Sequence, residues 1–131
     1  RTRQRRSAII HHPATGQRCW FNQIAFLNEW TLDPEVREYL VEFYGSDGLP
    51  FNTQFGNGDP IGEDVVQTIN DVYEANIARE PLQAGDLMLI DNIRTAHSRE
   101  PFAGEREILV AMADPVRLTD CSPTIEIGRS Y

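Results

Sequence analysis

Gly85-Asp86-Leu87-Met88-Leu89-Ile90-Asp91-Asn92-Ile93-Arg94-Thr95-Ala96-His97 is the stretch on which the fold turns. Residues 87–90 put apolar side chains on both faces of any strand they form, which marks a strand buried on both sides. Gly85-Asp86 before them and Asp91-Asn92 after them are turn formers. Residues 94–99 predict a further strand. Glu100 to Glu105, with Pro101 and Gly104, predict a turn, and residues 106–113 the longest strand of the chain. Residues 124–127 alternate and predict a terminal strand.

Upstream, residues 8–11 and 19–22 read as two short strands. His12-Pro13-Ala14-Thr15-Gly16-Gln17 lies between them with Pro and Gly at turn positions, so a hairpin is expected. Asp33-Pro34-Glu35 starts a helix, with Asp as N-cap, Pro at the first helical position and an acid in the first turn. Val36, Tyr39, Leu40, Phe43 and Tyr44 follow on one apolar stripe, and Gly45 stops it. Residues 45–60 are rich in Gly, Asn, Asp and Pro and form a long loop, a common site of function. Ile61, Val65, Ile69, Val72, Tyr73 and Ile77 then keep helical spacing, with Glu63 and Asp64 favouring the N-terminus. The pattern predicts a β-rich α+β fold, jelly-roll or cupin-like, with two helices in an insertion.

The chain has 131 residues and 40% hydrophobic content, the size and composition of one globular domain. A net charge of -8 argues against a nucleic-acid surface, which needs clustered positive charge. Arg1, Arg3, Arg5 and Arg6 are the local exception. They predict a solvated terminal segment, with a phosphate or acidic-partner contact as the alternative. Cys19 and Cys121 have no metal or disulfide spacing and are expected to be free thiols. No apolar run reaches the roughly 18 residues of a membrane span, and no signal-peptide pattern follows the basic start. A cytoplasmic protein is expected. The first residue is not Met and a strand follows almost at once, which predicts a fragment or a processed chain.

Three histidines bear on chemistry. His11 and His12 are neighbours at a turn, and neighbouring strand side chains point to opposite faces, so structural or surface roles are expected for both. His97, by position alone, is one histidine on a short strand. Ser98 beside it has no nucleophile elbow around it, and Gly56-Asn57-Gly58 is a turn rather than a phosphate loop. Asp86, Asp91 and Asp114 border strands and are expected to cap turns.

These segments together resemble the TauD/TfdA-like oxygenases. Gly-Asp-Leu-x-Leu-x-Asp-Asn from Gly85, His97 a few residues on, and Pro101-Phe102-x-Gly104-x-Arg106-x-Ile108-Leu109-Val110-Ala111-Met112 are similar to that family's C-terminal signature. His12-Pro13-Ala14-Thr15-Gly16 before Trp20-Phe21-Asn22-Gln23 resembles its His-Pro-x-Thr-Gly hairpin. Gly56-Asn57-Gly58-Asp59-Pro60-Ile61 resembles a loop that precedes a long helix. Order and spacing agree over residues 10–116. Within the family the pattern looks closest to the syringomycin-type amino-acid hydroxylases of nonribosomal peptide pathways.

The resemblance implies the C-terminal part of a double-stranded β-helix and an iron(II) centre that uses 2-oxoglutarate as cosubstrate. Two histidines and one carboxylate hold such an iron on one face and leave the other positions open. His97 matches the distal histidine. Arg106 matches the guanidinium that grips the cosubstrate's distal carboxylate through a planar two-point fork. Many members carry that arginine further along, where this chain has Val110, which leaves a contact to the C1 carboxylate or a structural role open for Arg106. Asn22 is a candidate pocket residue. The family's other ligands form a His-x-Asp or His-x-Glu motif, and no histidine here is followed by an acid two residues later. The expectation is therefore a C-terminal piece whose remaining barrel half, with those ligands, lies outside this chain, so that the chain alone is inactive. An amino-acid-like substrate, free or carrier-bound, is implied, with desaturation or halogenation open beside hydroxylation. The alternative is a non-catalytic cupin-like module that binds a ligand or a carrier protein.

Overall fold

The structure, a computed structural model, describes residues 2–105 and 107–124. Arg106 and the segment 125–127 of the expected terminal strand lie outside the described residues. The chain divides into two compact units, Arg1–Asn22 with Leu87–Tyr131, and Gln23–Asp86.

The first unit is built on the expected hairpin. Strands β1 (Ile9–His11) and β2 (Arg18–Trp20) pair antiparallel, with Ile9 opposite Trp20, Ile10 opposite Cys19 and His11 opposite Arg18. Two backbone bonds close the loop: His12 N–H donates to Gln17 O at 2.8 Å and Gly16 N–H to His12 O at 2.8 Å. Gly16 takes φ 70, a conformation that costs a residue with a Cβ and explains glycine there. Alternation along the strands puts Ile10 and Cys19 on one face, and both are buried while Trp20 is exposed.

Cys121 joins that pair from a 3-10 turn, Leu118–Cys121, and Phe21, Ile93 and Leu118 pack against the three. The two cysteines, distant in sequence, thus share one small core and remain unbonded, as expected. Burial pushes the Cys121 thiol up, with Asp120 and Cys19 adding to it, which favours the neutral form. Thr124 is tied to the start of β1 through Ser7, whose hydroxyl accepts from Thr124 N–H at 3.0 Å.

The strands expected at 87–90, 94–99 and 106–113 do not form among the described residues, which is a correction to the sequence reading. The reason is physical. A strand is held by ladder bonds to a neighbour, and these segments find none. Their apolar side chains are correspondingly bare: Leu87 is 96% exposed, Leu89 97% and Met112 89%.

The second unit holds both expected helices. In α1 (Pro34–Tyr44) the Asp33 carboxylate accepts from the N–H groups of Glu35 at 3.0 Å and Val36 at 3.3 Å, and Pro34 opens the helix. Gly45, at φ 68, ends it. The apolar stripe of α1 is present but uncovered, with Val36, Tyr39 and Phe43 about half exposed or more. Helix α2 (Glu63–Asn76) buries Val66, and the half-buried Ile69 and Tyr73 continue that face at i+3 and i+7. Of the expected stripe, Ile61, Ile69 and Tyr73 are covered while Val65 and Val72 are exposed, and Val66 rather than Val65 takes the buried position.

Polar contacts organise this unit. Asn28 is fully buried; its side chain donates to Thr53 O at 3.2 Å and accepts from Trp30 N–H at 3.1 Å. Glu29 takes two bonds from the Arg37 guanidinium, at 3.0 and 2.6 Å, and one from Asn52 at 3.0 Å. Arg37 stacks on the Trp30 ring at 3.6 Å, and Trp30 Nε1–H donates to Ile61 O at 3.2 Å. The loop between the helices is thereby held to the residues that precede α1. It also carries a bridge between Gln54 and Pro60.

Ile10→Ala removes the centre of the first unit's core. It should lower unfolding stability by about 2–5 kcal/mol, read from the midpoint of a urea titration, because so small a core cannot collapse to refill the space.

Candidate functional site

The segment that leads to His97 is shaped by Asp91. Its carboxylate Oδ1 accepts from the N–H groups of Ile93 at 3.1 Å and Arg94 at 3.3 Å. Its backbone carbonyl accepts from Arg94 at 3.2 Å and Thr95 at 3.0 Å. An aspartate that offers both oxygens to amides two to four residues on fixes a tight turn, as its sequence position suggested. Asp86 closes its own turn from the far end: its carboxylate accepts from Gln83 N–H at 2.8 Å and its N–H donates to Gln83 O at 3.1 Å.

The second carboxylate oxygen of Asp91 meets a residue from the hairpin. His12 Nε2 lies 3.1 Å from Asp91 Oδ2. The other ring nitrogen, Nδ1, receives the N–H groups of Ala14 at 3.3 Å and Thr15 at 3.2 Å. Backbone amides only donate, so Nδ1 must keep its lone pair, and the proton of the neutral ring sits on Nε2, aimed at Asp91. Partial desolvation works to raise the Asp91 pKa. The Ile93 and Arg94 amides and then the His12 ring outweigh it and hold the carboxyl below its ordinary range. The sequence assigns His12 a structural or surface role and Asp91 a turn cap but does not show that they meet; no local pattern links residues so far apart.

His11 goes elsewhere: its Nδ1 lies 2.9 Å from Ser122 O, a carbonyl, so this nitrogen carries the proton. His97 sits two residues beyond the Asp91 turn, exposed and outside any strand. Its ring makes no hydrogen bond or ion pair among the described residues, so both nitrogens are available. An exposed, uncommitted imidazole fits one position in a metal's shell. It fits no more than that, because no group of three or more metal-binding side chains comes together among the described residues. Arg106, the candidate cosubstrate ligand, lies outside the described residues. Asn22 is half-buried, and its amide donates to Ala8 O at 3.3 Å. A shallow cavity of about 210 Å³ in the first unit is lined by apolar Ile10, Phe21, Ile93, Val116 and Leu118 with Arg6 and Cys121. Neither His97 nor Asn22 lines it.

The family described as taurine catabolism dioxygenase TauD, TfdA family, matches residues 1–112. The chain belongs to this family. A TauD/TfdA relative from Enterobacter agglomerans, the dapdiamide synthesis protein DdaC, is 39% identical over 116 residues, 88% of this chain and 35% of its own length. A clavaminate synthase-like protein from Arabidopsis thaliana is 38% identical over 58 residues, 44% of this chain and 18% of its own. The chain thus spans about a third of the first relative's length and less of the second's. No solved structure gives a significant match. TauD/TfdA membership implies a jelly-roll fold, most of which is not formed by the described residues. No helix among the described residues is long and apolar enough to cross a membrane.

A carboxyl held low in the folded protein contributes stability above its unfolded pKa, and that contribution is lost as pH falls through the folded value. The Ile93 and Arg94 amide resonances should therefore titrate with a midpoint below the ordinary aspartate value of 3.8. The transition should vanish in Asp91→Asn.

Proposed function

We propose that this chain is the C-terminal part of an iron(II)- and 2-oxoglutarate-dependent oxygenase. It hydroxylates an amino acid, or an aminoacyl group on a carrier protein, in natural-product biosynthesis. The observation that carries the reading is the family match over residues 1–112, which includes the His97 segment and its Asp91 turn. The similarity to a dapdiamide synthesis protein supports a biosynthetic setting. The resemblance to syringomycin-type hydroxylases supports an amino-acid-like substrate.

In this reading His97 contributes one imidazole to the iron, suited to it by exposure and by two uncommitted nitrogens. The remaining histidine and carboxylate come from outside these residues. Arg106 pairs with a carboxylate of 2-oxoglutarate, where a planar fork gives two parallel charged hydrogen bonds. Bound iron and cosubstrate supply the oxidation: dioxygen, 2-oxoglutarate and a substrate C–H become succinate, carbon dioxide and a C–OH. Asn22 stands near the end of the hairpin as a candidate substrate contact. The bare apolar segments at 87–90 and 107–113 are then the strands that pair with the missing barrel half. Two buried free thiols fit a reducing cytoplasm.

The test is anaerobic titration of the full-length protein with iron(II) and 2-oxoglutarate, following the weak visible charge-transfer band of the ternary complex. His97→Ala should weaken iron binding by about 100-fold or more, since even a lost outer-sphere partner costs 10–100-fold. Arg106→Lys should leave iron binding intact and raise the 2-oxoglutarate Kd about 10-fold, the loss of one charged hydrogen bond. An undiminished band in His97→Ala, or none in the unaltered protein, points to the non-catalytic binding module instead.

A further inference from the structure

We propose that His12 and Asp91 are positioning residues: together they clasp the segment carrying His97 to the hairpin and set where that histidine is presented. The inference rests on the reading of His97 as an iron ligand and extends it to two side chains that touch neither iron nor substrate.

The first support is how fully the two groups are committed to each other and to their own turns. Asp91 spends Oδ1 on the amides of its turn and Oδ2 on His12. His12 spends its Nδ1 lone pair on Ala14 and Thr15 and its Nε2 proton on Asp91. A histidine so engaged has no lone pair left for a metal, which separates it from His97, whose ring is uncommitted.

The second support is placement. The hairpin is the one ladder formed among the described residues, and Ile10 and Cys19 anchor it in the unit's core. His97 has no ladder of its own. It follows a turn whose start is Asp91 and whose closing amide is Thr95. The bond between His12 and Asp91 ties that turn to the hairpin loop, beside the packing of Ile93 on the core. Histidine ligands are commonly oriented by groups behind them; here the orientation acts through the backbone of the turn rather than through the ligand's ring.

The third support is that the tautomer makes the pairing selective. The hairpin loop dictates an Nε2 proton, and only an acceptor can face it. Asp91→Asn keeps an oxygen for the Ile93 and Arg94 amides but can turn its NH₂ toward His12, donor against donor. His12→Asn keeps an oxygen near the Nδ1 position for Ala14 and Thr15 and falls short of Asp91. His12→Gln restores reach, and its amide can present oxygen or nitrogen, so it should accept from the asparagine of Asp91→Asn.

The experiment is a cycle in the full-length protein with His12→Asn, Asp91→Asn, His12→Gln with Asp91→Asn, and His97→Ala. It reads anaerobic iron(II) affinity, amide exchange at Ile93, Arg94 and Thr95, and thermal midpoint. The clasp predicts that His12→Asn and Asp91→Asn each weaken iron binding about 10–100-fold. They should also speed exchange in the turn, and the double variant should recover most of both. A role in general stability would lower the thermal midpoint without that pairwise recovery, and would overturn the proposal. So would wild-type iron affinity in both single variants alongside its loss in His97→Ala. If His97→Ala itself binds iron normally, the underlying reading of His97 has failed, and faster exchange in the clasp variants then measures a turn with no bearing on metal. Should the single variants not fold, the ¹⁵N spectrum of His12 in the unaltered protein decides: a protonated Nδ1 in the neutral ring overturns the clasp, and a protonated Nε2 supports it.

Discussion

A β-strand cannot satisfy its own backbone. Each N–H and C=O needs a partner on a neighbouring strand, and this single requirement sorts the structure into what forms and what does not. Residues 9–11 and 18–20 are close in sequence and joined by a turn with the right chemistry, so their ladder closes locally. Residues 87–90 and 107–113 have stronger apolar character, yet they stay unpaired among the described residues. Helices α1 and α2 escape the requirement because their hydrogen bonds are internal, and both form close to where periodicity and capping residues place them.

The two units use different means to hold themselves together. The hairpin unit relies on a small apolar centre of Ile10, Cys19 and Cys121, with the His12–Asp91 pair as a polar tie beside it. The unit with the helices depends on Asn28 and Glu29, whose buried polar groups are satisfied by Trp30, Arg37, Asn52 and Thr53. Such a network specifies one arrangement of the loop because each donor has one acceptor to reach, whereas an apolar contact tolerates sliding.

What could be read from the sequence was local. Asp33, Pro34 and Gly45 mark the ends of α1, and Pro13 and Gly16 mark the hairpin, because capping and turn chemistry act over a few residues. The family pattern around His97 was equally legible, being a run of residue types in order, and the match over residues 1–112 agrees with it. Contacts between distant residues were not legible. The phase of α2 was set by burial of Val66 rather than Val65, and nothing in the spacing distinguishes the two faces. The meeting of His12 with Asp91 and of Cys19 with Cys121 depends on how separate segments come together in space. The apolar runs of the last third were read as strands, and these do not form among the described residues, since apolar character says nothing of which segment supplies the ladder.

The bare segments have a consequence for handling the polypeptide. Residues 107–113 hold Ile108, Leu109, Val110 and Met112 with Glu107 as their one charge, and Leu109, Val110 and Met112 are mostly exposed. Short windows with high β-propensity, little charge and no proline are templates for intermolecular cross-β stacking. Wherever these segments stay uncovered, the polypeptide is therefore prone to fibrillar self-association.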